Sequence, residues 1–149
     1  MRAVIQRVDE AKVIVEGNIT GEIESGVLAF ISVDAEDTEE DIKWMANKIS
    51  GLRIFPDADG KMNYSLLDLG YELLSVSQFT LHGRVKKGFR PSFSDAAPPE
   101  KAEEYWHKVN EEMRKQGLRV FEGVFGAKMT VHLINNGPVT ILIDSKKMF

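Results

Sequence analysis

Strand-type patterns occupy most of this 149-residue chain, and only two segments repeat their apolar residues at helical spacing. The run "GVLAFISV" at 26–33 is apolar throughout, which is typical of a central strand buried on both faces. The segment "KVIVEGNITGEI" alternates around Gly17-Asn18, a pair that accepts positive φ and predicts a hairpin turn. A chain with this pattern builds its core on a sheet.

Two helices are marked at their ends. In "DTEEDIKWMANKISGL" Thr38 is the predicted N-cap, and Asp41 completes a capping box. The segment "APPEKAEEYWHKVNEEMRKQG" begins with proline, carries acids early and bases late, and ends at Gly117. Further strands are predicted at "LRIF" (52–55), "YELLSVSQFTL" (71–81), "LRVFEGVFGAKMTVHLINN" (118–136) and "GPVTILID" (137–144).

The count of about seven strands and two helices predicts one domain, 1–149, of the α+β class. Because tight turns link most strands, we expect a mostly antiparallel, barrel-like sheet with two amphipathic helices. The chain has no cysteine, which excludes disulfides, thiolate nucleophiles and cysteine-bound metals. The longest apolar stretch near the start is "AVI", so no signal peptide or membrane span is predicted and we expect a cytoplasmic protein.

The three histidines, His82, His107 and His132, do not lie at a metal-binding spacing, so no metal site is predicted. His107 lies among charged residues of a predicted helix, and His132 lies on the polar side of a predicted strand. Both are expected on the surface.

Charge is segregated along the chain, although the net charge of −4 argues against indiscriminate nucleic-acid binding. The segment "LHGRVKKGFRPSFS" at 81–94 contains no acid and interleaves four cations with Phe89 and Phe93. Such a segment suits contact with phosphates and stacking on bases or ribose. A solvated loop is an equally good interpretation. The four cations are Arg84, Lys86, Lys87 and Arg90.

Polar side chains stand at the end of the predicted strand 71–81. Ser77, Gln78 and Thr80 follow an apolar run, at a point where loop amides become available to a ligand. Thr80 is a candidate nucleophile, with His82 as its base if the strand continues and both lie on one face. A strand end capped by hydroxyl groups explains the same residues without catalysis.

The Gly-Pro pair at 137–138 opens an apolar strand pattern, although Pro138 has no N–H to donate to a sheet. One interpretation is an ordinary loop between two strands. The other begins from the small cost of a cis X-Pro bond, about 0.5–1 kcal/mol. A cis pair would present main-chain oxygens to a ligand, with no Cβ on Gly137 to obstruct it.

Two motifs in this order, "SQFTL" at 77–81 and "NNGPVT" at 135–140, resemble the paired signature of the D-aminoacyl-tRNA deacylases. The similarity extends along the whole chain. Other segments that resemble the family at corresponding places are "MRAVIQRV" (1–8), "GEI" (21–23), "DGKMN" (59–63), "KGFRPSF" (87–93) and "AAPPE" (96–100).

The resemblance implies a homodimeric, barrel-like enzyme that hydrolyses the ester between a D-amino acid and the terminal ribose of tRNA, with no cofactor. In the family the Gly-Pro pair is cis and enters the active site of the other subunit, where it takes the place of an L side chain. Those residues correspond to Gly137 and Pro138. The implied substrates are D-aminoacyl-tRNA and, because glycine has no side chain to reject, glycyl-tRNA; no membrane partner is implied.

The same resemblance implies the remaining site residues. Since no Ser/Thr–His–Asp arrangement is evident in the sequence, main-chain N–H groups are favoured over a covalent nucleophile as the catalytic groups. Arg7 is expected to hold the Gly-Pro loop through its fork of donors. The catalytic wall would be Ser77, Gln78, Phe79 and Thr80, and Asn135 and Asn136 would support the Gly-Pro pair.

The four cations of the basic segment, Arg84, Lys86, Lys87 and Arg90, are then expected to contact acceptor-stem phosphates. If all four do, log K falls with log salt at a slope of about −3. Two other functions fit parts of the sequence. A non-catalytic RNA-binding module would bind tRNA without turnover, and a structural or small-ligand barrel would use "NNGPVT" only as a turn, so that replacing Gly137 would change stability alone.

Overall fold

The computed structural model describes all 149 residues and contains eight strands, three α-helices and one 3-10 helix. The strands are β1 (Arg2–Val15), β2 (Asn18–Ile23), β3 (Gly26–Ser32), β4 (Phe55–Pro56), β5 (Met62–Tyr64), β6 (Glu72–Ser77), β7 (Arg119–Glu122) and β8 (Thr130–Asp144). The α-helices are α1 (Glu39–Gly51), α2 (Leu66–Leu69) and α3 (Pro99–Lys115), and the 3-10 helix covers Phe79–His82.

A six-stranded sheet is organised around β1. On one side β8 pairs with nearly the whole of β1, and on the other side β3 and β2 pair with its first and second halves. Strands β6 and β7 continue the sheet from β3. Gly21 of β2 approaches β7 so closely that a Cβ would lie 2.7 Å from the Glu122 carbonyl oxygen. The sheet therefore nearly closes into a barrel.

The α+β class and the barrel-like sheet are confirmed, and β1 is antiparallel to all three of its partners. The pairs β3–β6 and β6–β7 are parallel. Parallel neighbours require a crossover connection, which α1 and the segment to α2 supply between β3 and β6. As predicted, β3 is central, and six of its seven residues are buried.

Helices α1 and α3 pack against each other and against the sheet. The capping box of Thr38 and Asp41 is present at the start of α1, as predicted. Trp106 of α3 is 1% exposed, and its indole N–H donates to Ser75 Oγ of β6 at 2.8 Å. Helix α3 therefore holds the strand that leads into the predicted catalytic segment. A membrane-spanning helix, which needs a long and continuous apolar stretch, is not found among the helices.

Local boundaries differ from the prediction at several turns. The first hairpin turns at Glu16-Gly17, which have φ of 49° and 79°, because Val15 already pairs with Asn18. The predicted strand "LRIF" is reduced to β4, and the short helix α2 was not predicted, since four residues carry no helical period.

The larger corrections concern the two motifs. Strand β6 ends at Ser77, so the predicted strand 71–81 is wrong in its last four residues, most of which form the 3-10 helix. The boundary expected between 136 and 137 is also wrong, because β8 runs without interruption from Thr130 to Asp144. Its partner β1 is long enough to pair with both halves of β8, one on each side of the Gly-Pro pair.

Candidate active site

Residues 77–80, called the bend below, run from the last residue of β6 through Gln78 into the first two residues of the 3-10 helix. The Gln78 N–H donates to the Ile31 carbonyl oxygen at 2.8 Å and ties the bend to β3. Phe79 is 54% exposed, and Gln78 Nε2 donates to Thr80 Oγ1 at 2.5 Å. The four residues of the predicted catalytic wall therefore lie together at the surface.

A cavity of about 660 Å³ opens beside the bend. Its lining is mostly apolar and comes from the bend, from Phe93, from the start of α3 and from the segment that precedes β8. The rings of Phe79 and Phe93 meet edge to face, with 5.2 Å between their centroids. A mainly apolar cavity with a few polar groups at its edge is the usual form of a site for an organic ligand.

A second cavity, of about 430 Å³, lies between β1 and β8 and includes Glu10, Lys12 and His132 in its lining. It contains none of the predicted site residues. His132 and His107 are exposed, as predicted. No group of three or more histidine or acidic side chains is arranged to hold a metal ion.

His82 does not lie beside Thr80 on a strand face. It is 1% exposed, its Nδ1 is 2.6 Å from Ser32 Oγ, and its Nε2 is 3.5 Å from Asp34 Oδ2. Burial, followed by the positive charge of Arg2, lowers the pKa of His82, and the Asp34 carboxylate opposes the shift. The interpretation of His82 as a base for Thr80 is wrong, because both ring nitrogens face other partners.

Two residues behind the bend were not predicted from the sequence. Ser32 ends β3 and contacts His82, and Arg2 Nη1 donates to the Leu81 carbonyl oxygen at 3.1 Å. The one signal for Ser32 was a hydroxyl within an otherwise apolar run. Nothing in the local pattern around Arg2 indicates a partner 79 residues away.

The Gly-Pro pair lies in residues 136–139, called the bulge below. Gln6 pairs with Thr140 and Val8 pairs with Asn135, so four residues of β8 stand opposite the single residue Arg7 of β1. The Gly137–Pro138 peptide bond is cis. Gly137 and Pro138 are exposed, whereas Val139 is buried.

Arg7 contacts the bulge with two of its guanidinium nitrogens. Its Nε donates to the Asn136 carbonyl oxygen at 3.2 Å, and its Nη2 donates to Asn136 Oδ1 at 3.0 Å. Its Nη1 donates to the Ile54 carbonyl oxygen at 2.6 Å. Asn135 Nδ2 donates to the carbonyl oxygens of Arg7 and Val139, and Asn136 Nδ2 donates to Asp9 Oδ1. No hydrogen bond joins the bulge to the bend within the chain.

Residues 84–90, called the basic loop below, are closed by backbone hydrogen bonds between Arg84 and Ser92 at 2.8 and 3.0 Å. Arg84 pairs with Asp95 Oδ2 at 2.5 Å, so its charge is compensated. Lys86, Lys87 and Arg90 are exposed and form no ion pair. Phe89 projects fully into solvent among them. The loop therefore offers three free positive charges and one bare aromatic ring.

The fold and the candidate site define a barrel-like α+β protein with a mainly apolar cavity beside the end of a strand, and comparison with known proteins identifies its family. The family model for D-Tyr-tRNA(Tyr) deacylase matches residues 4–144. Proteins named D-aminoacyl-tRNA deacylase from Thermotoga petrophila and Desulfotalea psychrophila are 56% and 58% identical to this chain over 149 residues, the whole of both chains in each case.

Two solved structures share the fold. One, described as the c-Myc DNA Unwinding Element Binding Protein, superposes with a TM-score of 0.91 at 42% identity, covering 97% of this chain and 98% of the other. The second, described as a probable eukaryotic D-amino acid tRNA deacylase, has a TM-score of 0.82 at 18% identity over 95% and 97% of the two chains. At that identity the second likeness concerns the fold alone.

The chain belongs to the D-Tyr-tRNA(Tyr) deacylase family. Its activity is that of a D-aminoacyl-tRNA deacylase, a hydrolase of the ester bond that joins the amino acid to tRNA.

Proposed function

We propose that residues 1–149 act as one cytoplasmic proofreading domain, which hydrolyses D-aminoacyl-tRNA and glycyl-tRNA and rejects L-aminoacyl-tRNA. The bend supplies the catalytic wall, and Gly137 and Pro138 of a second copy of the chain select the substrate. The observation that carries this proposal is the opening of the exposed bend onto a cavity of about 660 Å³.

Main-chain amides of the bend stabilise the transition state. The N–H groups of Phe79 and Thr80 lie in the first turn of the 3-10 helix, which the Leu81 N–H closes by donating to the Gln78 carbonyl oxygen, and they have no acceptor within the helix. They bind the oxyanion that develops when water attacks the ester carbonyl. The ester C–O bond then breaks, and the terminal ribose oxygen leaves as a hydroxyl group. An activated ester needs little beyond this orientation and charge stabilisation.

The Thr80 hydroxyl has no base beside it. Its oxygen accepts a hydrogen bond from Gln78 Nε2, and the imidazole of His82 faces Ser32 and Asp34 instead. A hydroxyl nucleophile requires a neighbouring base to take its proton. Replacing Thr80 by alanine is therefore expected to lower kcat by less than about tenfold, and a loss well beyond ~100-fold would indicate a nucleophilic hydroxyl.

Rejection of L substrates is assigned to the bulge. Gly137 and Pro138 are exposed, and a backbone probe overlaps an L side chain while it ignores the identity of a D side chain. Glycine offers no side chain to overlap, so glycyl-tRNA is accepted. Arg7, Asn135 and Asn136 support the probe through the hydrogen bonds around the bulge.

A second copy is proposed because β1 and β3 lie between β8, which carries the bulge, and β6, which leads into the bend, and the bulge and the bend share no hydrogen bond. Strand β8 pairs only with β1, so its other edge has free backbone groups. Ile134 and Leu142 on β8 are 51% and 59% exposed. An open strand edge with exposed apolar residues favours a homodimer in which β8 contacts the partner subunit.

The basic loop is assigned to tRNA. Phe93 connects the loop to the cavity, since it packs on Phe79 and also lines the cavity wall. With Arg84 paired to Asp95, the phosphate contacts fall to Lys86, Lys87 and Arg90. Three such contacts give a slope of log K against log salt of about −2. A flat salt dependence would exclude the loop from the binding surface.

The decisive experiment is a deacylation time course on D-tyrosyl-, L-tyrosyl- and glycyl-tRNA, with added chelator and a no-enzyme control. We expect rapid loss of the D-tyrosyl and glycyl esters and no enzyme-dependent loss of the L-tyrosyl ester. Equal hydrolysis of both tyrosyl esters would overturn the proposed selection. Decay of all three at the control rate would overturn the catalytic assignment and favour a protein that only binds tRNA.

A further inference from the structure

A polar cluster lies behind the bend and consists of Ser32 and His82, which are buried, and Asp34, whose side chain is 23% exposed. Ser32 Oγ is 2.6 Å from His82 Nδ1, and His82 Nε2 is 3.5 Å from Asp34 Oδ2. Ser32 is the last residue of β3, and His82 is the last residue of the 3-10 helix. The cluster therefore joins the strand behind the bend to the helix that follows it.

The residue types are those of a Ser-His-Asp hydrolase triad, but the burial excludes that role. A nucleophilic hydroxyl must reach the substrate carbonyl, and Ser32 and His82 are each 1% exposed. Ser32 Oγ also lies 3.4 Å from the carbonyl oxygen of Phe79, a residue of the bend. The cluster therefore contacts the bend and is closed to the substrate.

The direction of the Ser32–His82 hydrogen bond follows from the charge on the other side of the ring. The Asp34 carboxylate favours a proton on Nε2 of the neutral imidazole, which leaves Nδ1 as an acceptor. The Ser32 hydroxyl then donates its single proton to Nδ1, so its 3.4 Å approach to the Phe79 carbonyl oxygen is a contact and not a second hydrogen bond. Burial lowers the pKa of His82, which keeps this neutral form dominant near neutral pH.

We propose that His82 is a positioning residue for deacylation, which through Ser32 holds the bend against β3 and so aims the amides of Phe79 and Thr80 at the ester. The inference rests on the proposed function, because it takes the bend to be the catalytic wall. Other hydrogen bonds restrain the same segment: Gln78 N–H to Ile31 at 2.8 Å, and Gly83 N–H to Thr80 at 2.9 Å. Among residues 77–83, His82 is the one whose side chain is both buried and hydrogen-bonded to β3.

The test compares two replacements of His82 and one surface control. Asparagine places an amide oxygen close to the position of Nδ1 and accepts the Ser32 hydroxyl, whereas leucine fills similar space without an acceptor. We expect His82→Leu to lower kcat on D-tyrosyl-tRNA by about 10- to 100-fold, with KM changed less than about threefold. His82→Asn should recover most of kcat, and His107→Asn on the exposed face of α3 should match the unmodified protein.

A pH profile separates positioning from simple structural support. Protonated His82 cannot accept from Ser32, so kcat should fall as the pH drops through the native pKa of His82, which burial holds below the ordinary value of 6.5, and His82→Asn should lack this limb. The other charged groups that influence His82 are Asp34, Asp37, Arg2 and the Met1 ammonium, and all of them are present in both proteins.

Equal kcat for His82→Leu and His82→Asn, at equal folded fraction by circular dichroism, would overturn the proposal. If His82→Leu does not fold, Ser32→Ala replaces it, since it removes the donor with a smaller change of volume. Unchanged kcat in Ser32→Ala would then overturn the proposal. Failure of the proposed function is recognised separately, because the unmodified protein itself would leave D-tyrosyl-tRNA at the no-enzyme rate.

Discussion

The bend at 77–80 and the bulge at 136–139 each interrupt a strand pattern, yet they are held in opposite ways. The bend is fixed from behind by Ser32 and His82, each 1% exposed, and β6 just before it is bonded to Trp106. The bulge stands at the surface, where the half-buried Arg7 holds it with two hydrogen bonds to Asn136.

The difference separates two requirements of the proposed site: a fixed geometry for catalysis and an accessible surface for contact with another molecule. A segment anchored in the core keeps its geometry for as long as the protein is folded, because its anchors pack at crystal-like density. A segment on the surface can be changed without unfolding the protein and is free to contact another molecule. Under the proposed function, the core-anchored bend stabilises the transition state and the exposed bulge selects the substrate.

Removing the core support of the bend should have the largest effect. Trp106→Ala deletes a side chain that is 1% exposed and leaves Ser75 Oγ without its donor. We expect the free energy of unfolding to fall by about 3–5 kcal/mol. Urea titration followed by circular dichroism measures it, with Trp106→Phe as a control that keeps most of the volume and should lose less. Equal midpoints for Trp106→Ala and the unmodified protein would contradict the assigned support.

Altering the bulge should separate activity from stability. A Cβ on Gly137 would lie 3.3 Å from Asn135 Oδ1, so the exposed Asn135 side chain must shift by a few tenths of an ångström, and Gly137→Ala should change the unfolding free energy by less than about 1 kcal/mol. Because that Cβ enlarges the probe, deacylation of D-tyrosyl-tRNA should fall by about 100-fold. Gly51→Ala, whose Cβ would meet nothing within 4 Å, is the matched control. A loss of stability with activity retained would instead support the interpretation that "NNGPVT" is only a turn between strands.

Weakening the support of the bulge should give a smaller effect. Arg7→Lys keeps the charge but cannot make both hydrogen bonds to Asn136, because lysine lacks the planar fork. We expect the ratio of D- to L-tyrosyl-tRNA hydrolysis to fall about tenfold, with little change in thermal midpoint. Arg53→Lys, which affects an exposed arginine bonded to Asn63 outside the site, provides the comparison. An unchanged ratio would remove Arg7 from the selection machinery.

The smallest expected effect is a pH dependence of the unfolding free energy, which arises from His82 behind the bend and not from the bulge. The pKa of His82 is lowered by burial, so the native state binds fewer protons than the unfolded chain below pH 6.5. Its contribution to stability is complete above 6.5 and is lost as the pH falls through the native pKa. The unfolding free energy should therefore decline as the pH falls from 6.5 to the lowered native pKa, and His82→Asn should not show this decline.

The carboxylates Glu122 and Asp41 titrate below the pH range assigned to His82. Burial raises the pKa of Glu122, but hydrogen bonds from Asn110 and Arg114 outweigh it and hold the pKa below 4.5. Hydrogen bonds likewise outweigh burial and hold the pKa of Asp41 below 3.8. Stability linked to these two groups is lost only as the pH falls below those values. The same decline in His82→Asn as in the unmodified protein would exclude His82 as its source.

The sequence predicted those helices and strands that depend on interactions between residues close together in the chain. The capping box at Thr38, the apolar run of β3 and the charge order of α3 each express an interaction within a few residues, and each predicted its element. The two motifs also identified the family, because their residue types and order are specific. The turn at Glu16-Gly17 was displaced by one residue, since local propensity does not set strand register.

Contacts between distant residues were decided only by the tertiary structure. The bond between Ser32 and His82 spans 50 residues and that between Arg7 and Asn136 spans 129, and no local pattern encodes either. The continuity of β8 through Gly137 and Pro138 likewise depends on the length of its partner β1. The sequence by itself determined the class of fold, the family and the two motifs, because short-range periodicity and residue identity carry them. The tertiary structure decided that one motif is anchored in the core and the other exposed, because burial depends on what the rest of the chain packs against each of them.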